Sequence, residues 1–301
     1  MTVRVAAVVL NWCGYESTVE CVESVLASDG AEPIVLIVDN ASPDGSGARL
    51  RGRFPELEVI EAGANLGYAG GNNLGIDRAR ALEAEYILIL NNDVTIAPDC
   101  VRFMVETLEQ NPRAALVGAK IVHADDGTIG AVGGEIRWEV AEPRQVGHLE
   151  PDRGQYVGVR EVDFAPGTAV LARTVAIEQV GAIPEDYFLY FEDVDWSLRF
   201  RRAGWSILVD PRARVVHKES SSTGRHSPLK GYYYVRNNLI FLERHVPAER
   251  VARTRWRLRA KFGRMLAREV LGGRLGVARA MVRGYLDHRA GIRGISPHPL
   301  Q

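Results

Sequence analysis

Three cysteines in 301 residues are too few and too scattered to staple this chain. Cys13, Cys21 and Cys100 make neither a disulfide framework nor a metal-ligand spacing, and they read as idle thiols of a reducing compartment. No apolar run approaches the ~18 residues that a membrane-spanning helix needs. The run VAAVVL at 5–10 is strand-sized and not a leader, so the expectation is a cytoplasmic protein. Net charge is also missing: 37 Lys and Arg against 38 Asp and Glu leave −1 at pH 7, which argues against a surface built to coat nucleic acid. Internal repeats and low-complexity tracts are absent as well. What is there, 46% hydrophobic and 25% charged residues, is an ordinary globular composition, long enough for one large core with or without an appendage. The charge is unevenly spread, with fourteen Lys or Arg in 244–293 against only Glu249, Glu269 and Asp287.

Short β-branched runs at 3–10, 34–38, 58–62 and 86–90 read as buried strands, and apolar spacing between them predicts helices over about 16–28 and 71–84. Strands alternating with helices predict an α/β fold with a mostly parallel sheet, in which ligands lie beyond the carboxyl ends of the strands. Those ends are Asn11, Asp39 and the triplet Asn91, Asn92 and Asp93, all polar. From about 130 to 163 periodicity fails and loops with short antiparallel strands are expected. Order returns with a strand at 169–172, helices from 174 and over 192–203, a strand at 205–209 and a helix over 228–245. From 247 onward the pattern is Arg-rich and helical, broken near Gly272 and Gly273.

Five segments carry candidate chemistry. VDNASPDGS at 38–46 puts Asp39 where an acid can bond a nucleobase or ribose, or simply close a turn. NLGYAGGNNLG at 65–75 offers either a glycine-rich cradle for a diphosphate at a helix start or glycines that only permit tight turns. LNNDV at 90–94 places Asp93 where a carboxylate can hold a hard cation or cap the chain before Pro98. In YFLYFEDVDWSLRF at 187–200, Glu192, Asp193 and Asp195 crowd a helix start behind aromatics. Helix-start charging accounts for one or two of them, whereas three mutually repelling carboxylates point to a base for an acceptor hydroxyl. His217, in VVHKESSSTG at 215–224, is either a metal ligand or a structural imidazole, and Arg236, in YYYVRNN, either a phosphate partner or a solvated charge.

Taken in this order, the segments resemble the family 2 glycosyltransferases of GT-A fold over about 3–241, and within them a bacterial, rhamnosyltransferase-like branch marked by NLGYAGGNN, LNND, YFEDVDW and a later His followed by Ser and Thr. The resemblance implies a nucleotide-sugar donor bound by Asn11, Asp39, Asn65, Gly70, Asn72, Asn92 and Asp93. It implies magnesium or manganese on Asp93 and His217, Asp193 as catalytic base of an inverting transfer, and Glu192, Asp195, Trp196 and Arg236 on the acceptor side. Its D-x-D pattern begins here with Asn91, and Ile183-Pro184-Glu185 replaces the branch's Phe-Asp-Glu. The Gln-x-x-Arg-Trp signature of processive synthases is missing. The implied domains are a catalytic unit over 1–245, divided into a donor half at 1–97 and an acceptor half at 98–245, and an Arg-rich helical extension at 246–301. The implied acceptor is a sugar or a lipid-linked glycan, with no nucleic acid. Sugar-nucleotide pyrophosphorylase and non-catalytic nucleotide-sugar binding are the alternatives. The first would carry a Gly-, Arg- and Lys-bearing loop after the first strand, where this chain has NWCGYES.

In the extension Trp256, Leu258, Phe262, Met265, Leu266 and Val270 form an apolar stripe beside many arginines. It is expected either to rest on an anionic membrane, peripherally, or to dock on the catalytic domain or on a second copy of the chain.

Overall fold

The computed structural model describes residues 3–30, 32–218 and 227–300. The chain opens with Val5–Asn11 (β1), Tyr15–Leu26 (α1), Ile34–Asp39 (β2), Ser46–Arg53 (α2), Glu58–Glu61 (β3) and Gly67–Ala81 (α3). Tyr86–Asn91 (β4), Val94–Ile96 (β5), Cys100–Gln110 (α4) and Ala114–His123 (β6) follow. The middle holds the short strands Ile129–Ala131 (β7), Gly134–Arg137 (β8), Glu142–Gln145 (β9) and Arg160–Glu161 (β10), then Ala169–Arg173 (β11) and Thr174–Val180 (α5). Glu192–Arg202 (α6), Ser206–His217 (β12), Pro228–His245 (α7), Ala248–Leu271 (α8) and Leu275–Arg289 (α9) complete it.

The main sheet runs β3-β2-β1-β4-β11-β6-β12-β10, with β5 on β12 and β7 on β6. Its first four strands are mutually parallel, β11 runs against both neighbours, and β6 and β12 are parallel again. Both faces are covered. Val5, Ala7 and Val9 of β1 join one hydrophobic cluster while Ala6 and Val8 join another, and β4 divides in the same way. This two-sided burial is why these strands read as unbroken apolar runs rather than alternating ones.

The glycines at 65–75 work differently from a phosphate loop. Helix α3 starts at Gly67, a turn earlier than the spacing predicts, so Gly70 and Gly71 lie inside it. A Cβ on Gly71 would stand 2.5 Å from Leu10 Cδ1, and one on Gly75 would stand 2.3 Å from Val8 Cγ1. Both glycines let the helix lie hard against β1.

Several elements escape the sequence reading: α2, α4 and β6, the last a fully central strand. The runs around 205–209 and 215–217 are one strand, β12, irregular between Asp210 and Arg214. There the buried Asp210 carboxylate accepts from Thr107 Oγ1 (2.7 Å) and from the Arg212 backbone and guanidinium.

Contacts cross both expected boundaries. β4 pairs directly with β11, so the sheet is continuous across residue 97. Beyond 245, Leu258 and Phe262 of α8 and Met281 of α9 bury themselves in one cluster with Val194 of α6 and Leu239 of α7. The predicted apolar stripe is therefore split: its inner members dock on the body, while Trp256 is 69% exposed. Among the described residues no helix is long and apolar enough to cross a membrane.

Gly75→Ala tests the helix–strand contact. Helix propensity alone favours Ala by about 1 kcal/mol, but crowding Val8 costs about 1–3 kcal/mol. Urea unfolding is expected to show net destabilisation, and a stabilised variant would refute the packing argument.

Candidate functional site

The ends of β1 and β2 are in register, Asn11 against Asp39, and Leu10 of β1 pairs with Asn91 of β4. Asn11 is fully buried at this edge. Its amide donates to Asp39 Oδ1 (2.7 Å) and Ser46 Oγ (2.9 Å), and its Oδ1 accepts from Thr18 Oγ1 (2.8 Å). Asp39 Oδ2 also accepts the Ser42 backbone N–H (3.3 Å). The turn-closing use of Asp39 is thus realised alongside its position at the strand end. Asn92 Nδ2 donates to Thr18 Oγ1 (2.9 Å), which pins the β4–β5 turn to α1.

That turn carries Asp93. Strand β5 pairs antiparallel with β12, setting His217 against Val94, and Asp93 Oδ1 lies 3.1 Å from His217 Nε2. Each side chain keeps a minor exposed face, 11% for Asp93 and 18% for His217. Among the described residues no group of three or more His, Cys, Asp or Glu is arranged for a metal ion. The pair nonetheless fits a lean site. Adjacent ligands of an octahedral magnesium or manganese ion lie about 3 Å apart, and such ions take few protein ligands and complete their shell with phosphate and water. The Ser and Thr expected after His217, at 220–223, lie outside the described residues.

The same edge reaches Asp193. Asn91 N–H donates to Thr168 O (3.1 Å), and the neighbouring Gly167 N–H donates to Asp193 Oδ2 (3.0 Å). Tyr68 of α3 donates its hydroxyl to Gly167 O (2.6 Å). Asp39, Asp93, His217 and Asp193 are therefore joined through adjacent strand ends and one loop, 163–168, despite their distance along the chain.

Burial raises the Asp193 carboxyl above its ordinary value, while the Gly167 and Val194 backbone N–H groups pull the other way. Its neighbour Glu192 is 5% exposed, with Oε2 meeting no donor among the described residues. Desolvation first and the Asp193 charge second push Glu192 up to about 8. At neutral pH Glu192 therefore holds its proton.

Three more of the expected acceptor-side residues are placed as follows. Asp195 is fully buried, and although burial alone would raise it, donors hold it well below the usual carboxylate range. Tyr187 Oη (2.6 Å), Arg199 Nε (2.6 Å) and Arg244 Nη1 (3.3 Å) donate to it, and His245 Nε2 lies 3.1 Å away. Trp196 is packed against Phe200 with its indole N–H on Gly181 O (3.0 Å). Arg236 is fully buried and donates to Tyr187 O (2.8 Å). Asp195 and Arg236 both bond Tyr187, in the segment that leads to Asp193, and Trp196 bonds the loop after α5.

Of the expected donor-loop residues, Gly70 lies in α3, Asn72 is buried there with Nδ2 on Tyr68 O (2.9 Å), and Asn65 Oδ1 accepts from Asn40 Nδ2 (3.1 Å). Asn65 lines a cavity of about 350 Å³ with Glu185, Phe188 and Arg293. The sequence reading missed Asn40, which ties β2 to α3 through Gly67 O and Leu66 N–H. It also missed Asn73, bonded to Ile183 and Glu185, and Asn237. The Asn237 side-chain amide donates to the carbonyls of Tyr187 (2.9 Å), Leu189 (2.7 Å) and Tyr190 (3.0 Å). The doublets Asn72-Asn73 and Asn237-Asn238, paired amides in the middle of helices, were the available signal.

The profile of the glycosyl transferase family 2 matches residues 8–179. An N-acetylglucosaminyl-diphospho-decaprenol L-rhamnosyltransferase of Mycobacterium tuberculosis is 30% identical over 255 residues, 76% of this chain and 80% of the relative. A dTDP-rhamnosyl transferase of Shigella flexneri is 24% identical over 225 residues, 71% and 72% of the two chains. A mannosyltransferase of Pyrobaculum calidifontis, solved with GDP-Man and Mn2+, superposes with a TM-score of 0.58 over 97% of this chain and 84% of its own at 16% identity, which shows a shared GT-A fold.

The raised Glu192 carboxyl gives a stability test. Between the unfolded value of 4.5 and about 8, the folded chain keeps a proton that the unfolded chain has released, so this group costs stability progressively as pH rises. Glu192→Gln removes that cost. Its stability relative to wild type is expected to climb between about pH 5 and pH 8, by at most about 1.4 kcal/mol per unit, in urea unfolding at each pH. A flat difference would show that Glu192 ionises normally.

Proposed function

This chain belongs to the glycosyl transferase family 2, and we propose that it moves a sugar from a nucleoside-diphosphate sugar to a hydroxyl of a lipid-linked glycan. The donor is dTDP-rhamnose in this reading, with a UDP-sugar as second choice. The observation that carries the proposal is the convergence of Asp193, through Gly167 and Thr168, on the strand end that bears Asp93 and His217. The names of both curated relatives support rhamnose, one of them thymidine diphosphate, and the mycobacterial name supports a diphospho-polyprenol acceptor.

Asn11 and Asp39 form the wall for the nucleoside, with Asp39 oriented by the Asn11 amide. Asp93 and His217 would hold the divalent cation, which when bound neutralises the departing diphosphate. Asp193 accepts the proton of the acceptor hydroxyl while that oxygen attacks the anomeric carbon from the face opposite the diphosphate. The anomeric carbon–oxygen bond to the diphosphate breaks and the configuration inverts. The Gly167 N–H orients Asp193, and with the start of α6 it favours the carboxylate against the burial that raises it. A lipid-linked acceptor places the work at the inner face of the cell membrane, and exposed Trp256 and Leu271 among the arginines of α8 supply the surface for it.

General-base assistance is worth about 10²–10⁴-fold. Asp193→Asn is expected to lose that much turnover with dTDP-rhamnose while binding dTDP as wild type does in calorimetry. Full activity in this variant would remove Asp193 from the mechanism.

Cation removal is the second test. His217→Ala is expected to raise the manganese concentration needed for half-maximal rate, and chelation by EDTA to stop transfer until manganese is restored. Transfer at an undiminished rate in EDTA would exclude the assigned cation role.

A further inference from the structure

Away from the strand ends, α7, α8 and α9 enclose a second cavity of about 500 Å³. Each helix turns two positions into it at helical-neighbour spacing: Leu239 and Glu243 from α7, Arg255 and Arg259 from α8, Tyr285 and Arg289 from α9. His288 adds an imidazole. Glu243 is the one carboxylate among the lining residues; it is already paired with Arg255 (3.3 Å) and Arg293 (4.0 Å) and lies 3.1 Å from the His288 imidazole. Arg259 and Arg289 meet no carboxylate among the described residues; Arg259 lies 5.9 Å over the Tyr285 ring. Like charges four residues apart, as Arg255 and Arg259 are, weaken a helix slightly. Three guanidiniums around a single carboxylate leave the concave space with net positive charge.

We propose that this cavity is a binding site for a phosphate or diphosphate group, separate from the place where Asp93, His217 and Asp193 meet. Guanidinium forks match phosphate oxygens two at a time, and the Tyr285 hydroxyl adds a neutral donor. The group is borne either by a lipid or by a soluble phosphate compound; the chemistry at the cavity is the same. This inference rests on the lining of the cavity alone and does not depend on the identity of the donor sugar.

The test is calorimetric titration of inorganic diphosphate into the full chain in EDTA, where the cation-dependent donor site is silent. Saturable, salt-sensitive binding is expected, and it should persist in Asp93→Asn. The double variant Arg259→Gln/Arg289→Gln, which alters only exposed side chains, is expected to weaken it at least about tenfold, since charged hydrogen bonds contribute more than the ~1.4 kcal/mol that tenfold represents. Glu243→Gln is expected to tighten it, a sign that damage to the fold cannot produce. Absence of saturable binding by wild type, or equal binding by wild type and the double variant, would overturn the site. Co-sedimentation with vesicles of neutral or anionic phospholipid separates the sources. Loss of anionic-vesicle binding in the double variant assigns a lipid-borne phosphate, and unchanged vesicle binding beside lost diphosphate binding assigns a soluble one.

Discussion

One side-chain amide holds the candidate site in shape. Asn237 Nδ2 reaches three backbone carbonyls of the aromatic segment before α6, and Arg236 reaches one of them again. The segment needs this support because Phe188, Tyr190 and Phe191 all take left-handed backbone angles, with φ of 66°, 67° and 78°. Bulky residues adopt that region only at a cost of order 1–3 kcal/mol each, so the conformation persists only where surrounding contacts over-determine it. The return is geometric. The last left-handed residue is the cap of α6, and the helix therefore starts with Glu192 turned inward and Asp193 beside the Gly167 N–H.

That dependence ties the C-terminal helices to the site. The clamp sits on α7, and α7 is held in turn by Leu258, Phe262 and Met281 in a common hydrophobic cluster. Asp195 links the same parts electrostatically: its carboxylate gathers Tyr187 from the strained segment and Arg244 and His245 from the end of α7. Removing one member of such a buried ionic group leaves the remainder uncompensated, at about 3–5 kcal/mol. The acidic crowding in EDVD thus splits by depth into one brace, one neutralised neighbour and one carboxylate at the site.

The parallel half of the fold was legible because burial on both faces leaves unmistakable apolar runs that end in polar residues. Asn11, Asp39 and Asn91 mark those ends in the sequence as they do in space. Position within the helices was not legible. The glycines of 65–75 fit a phosphate loop on composition, yet what decides their use is the separation of α3 from β1, a tertiary distance with no local trace. The depth of Asp195, Trp196 and Arg236 was hidden for a related reason: a charged or amphipathic side chain near a motif reads as exposed, and its burial depends on partners distant in the chain. Asn237 was overlooked because it serves residues some fifty positions away, through carbonyls that every residue possesses.

The Glu192–Asp193 pair shows how burial can sharpen a base instead of silencing it. A lone buried carboxylate would rise towards neutrality and hold its proton. Here the cost of desolvation falls on both groups and backbone N–H groups oppose it at both, but the Asp193 charge adds to the rise of Glu192, and Glu192 Oε2 has no donor among the described residues. Glu192, pushed up to about 8, is the one that holds a proton at neutral pH. Ionising Glu192 as well would place a second negative charge in the same buried space, so as long as Glu192 stays neutral the charge facing the acceptor is single and localised. Under the proposed transfer, that is the state in which Asp193 can take a hydroxyl proton at neutral pH, and it is set by which of two adjacent carboxyls the 163–168 loop can reach.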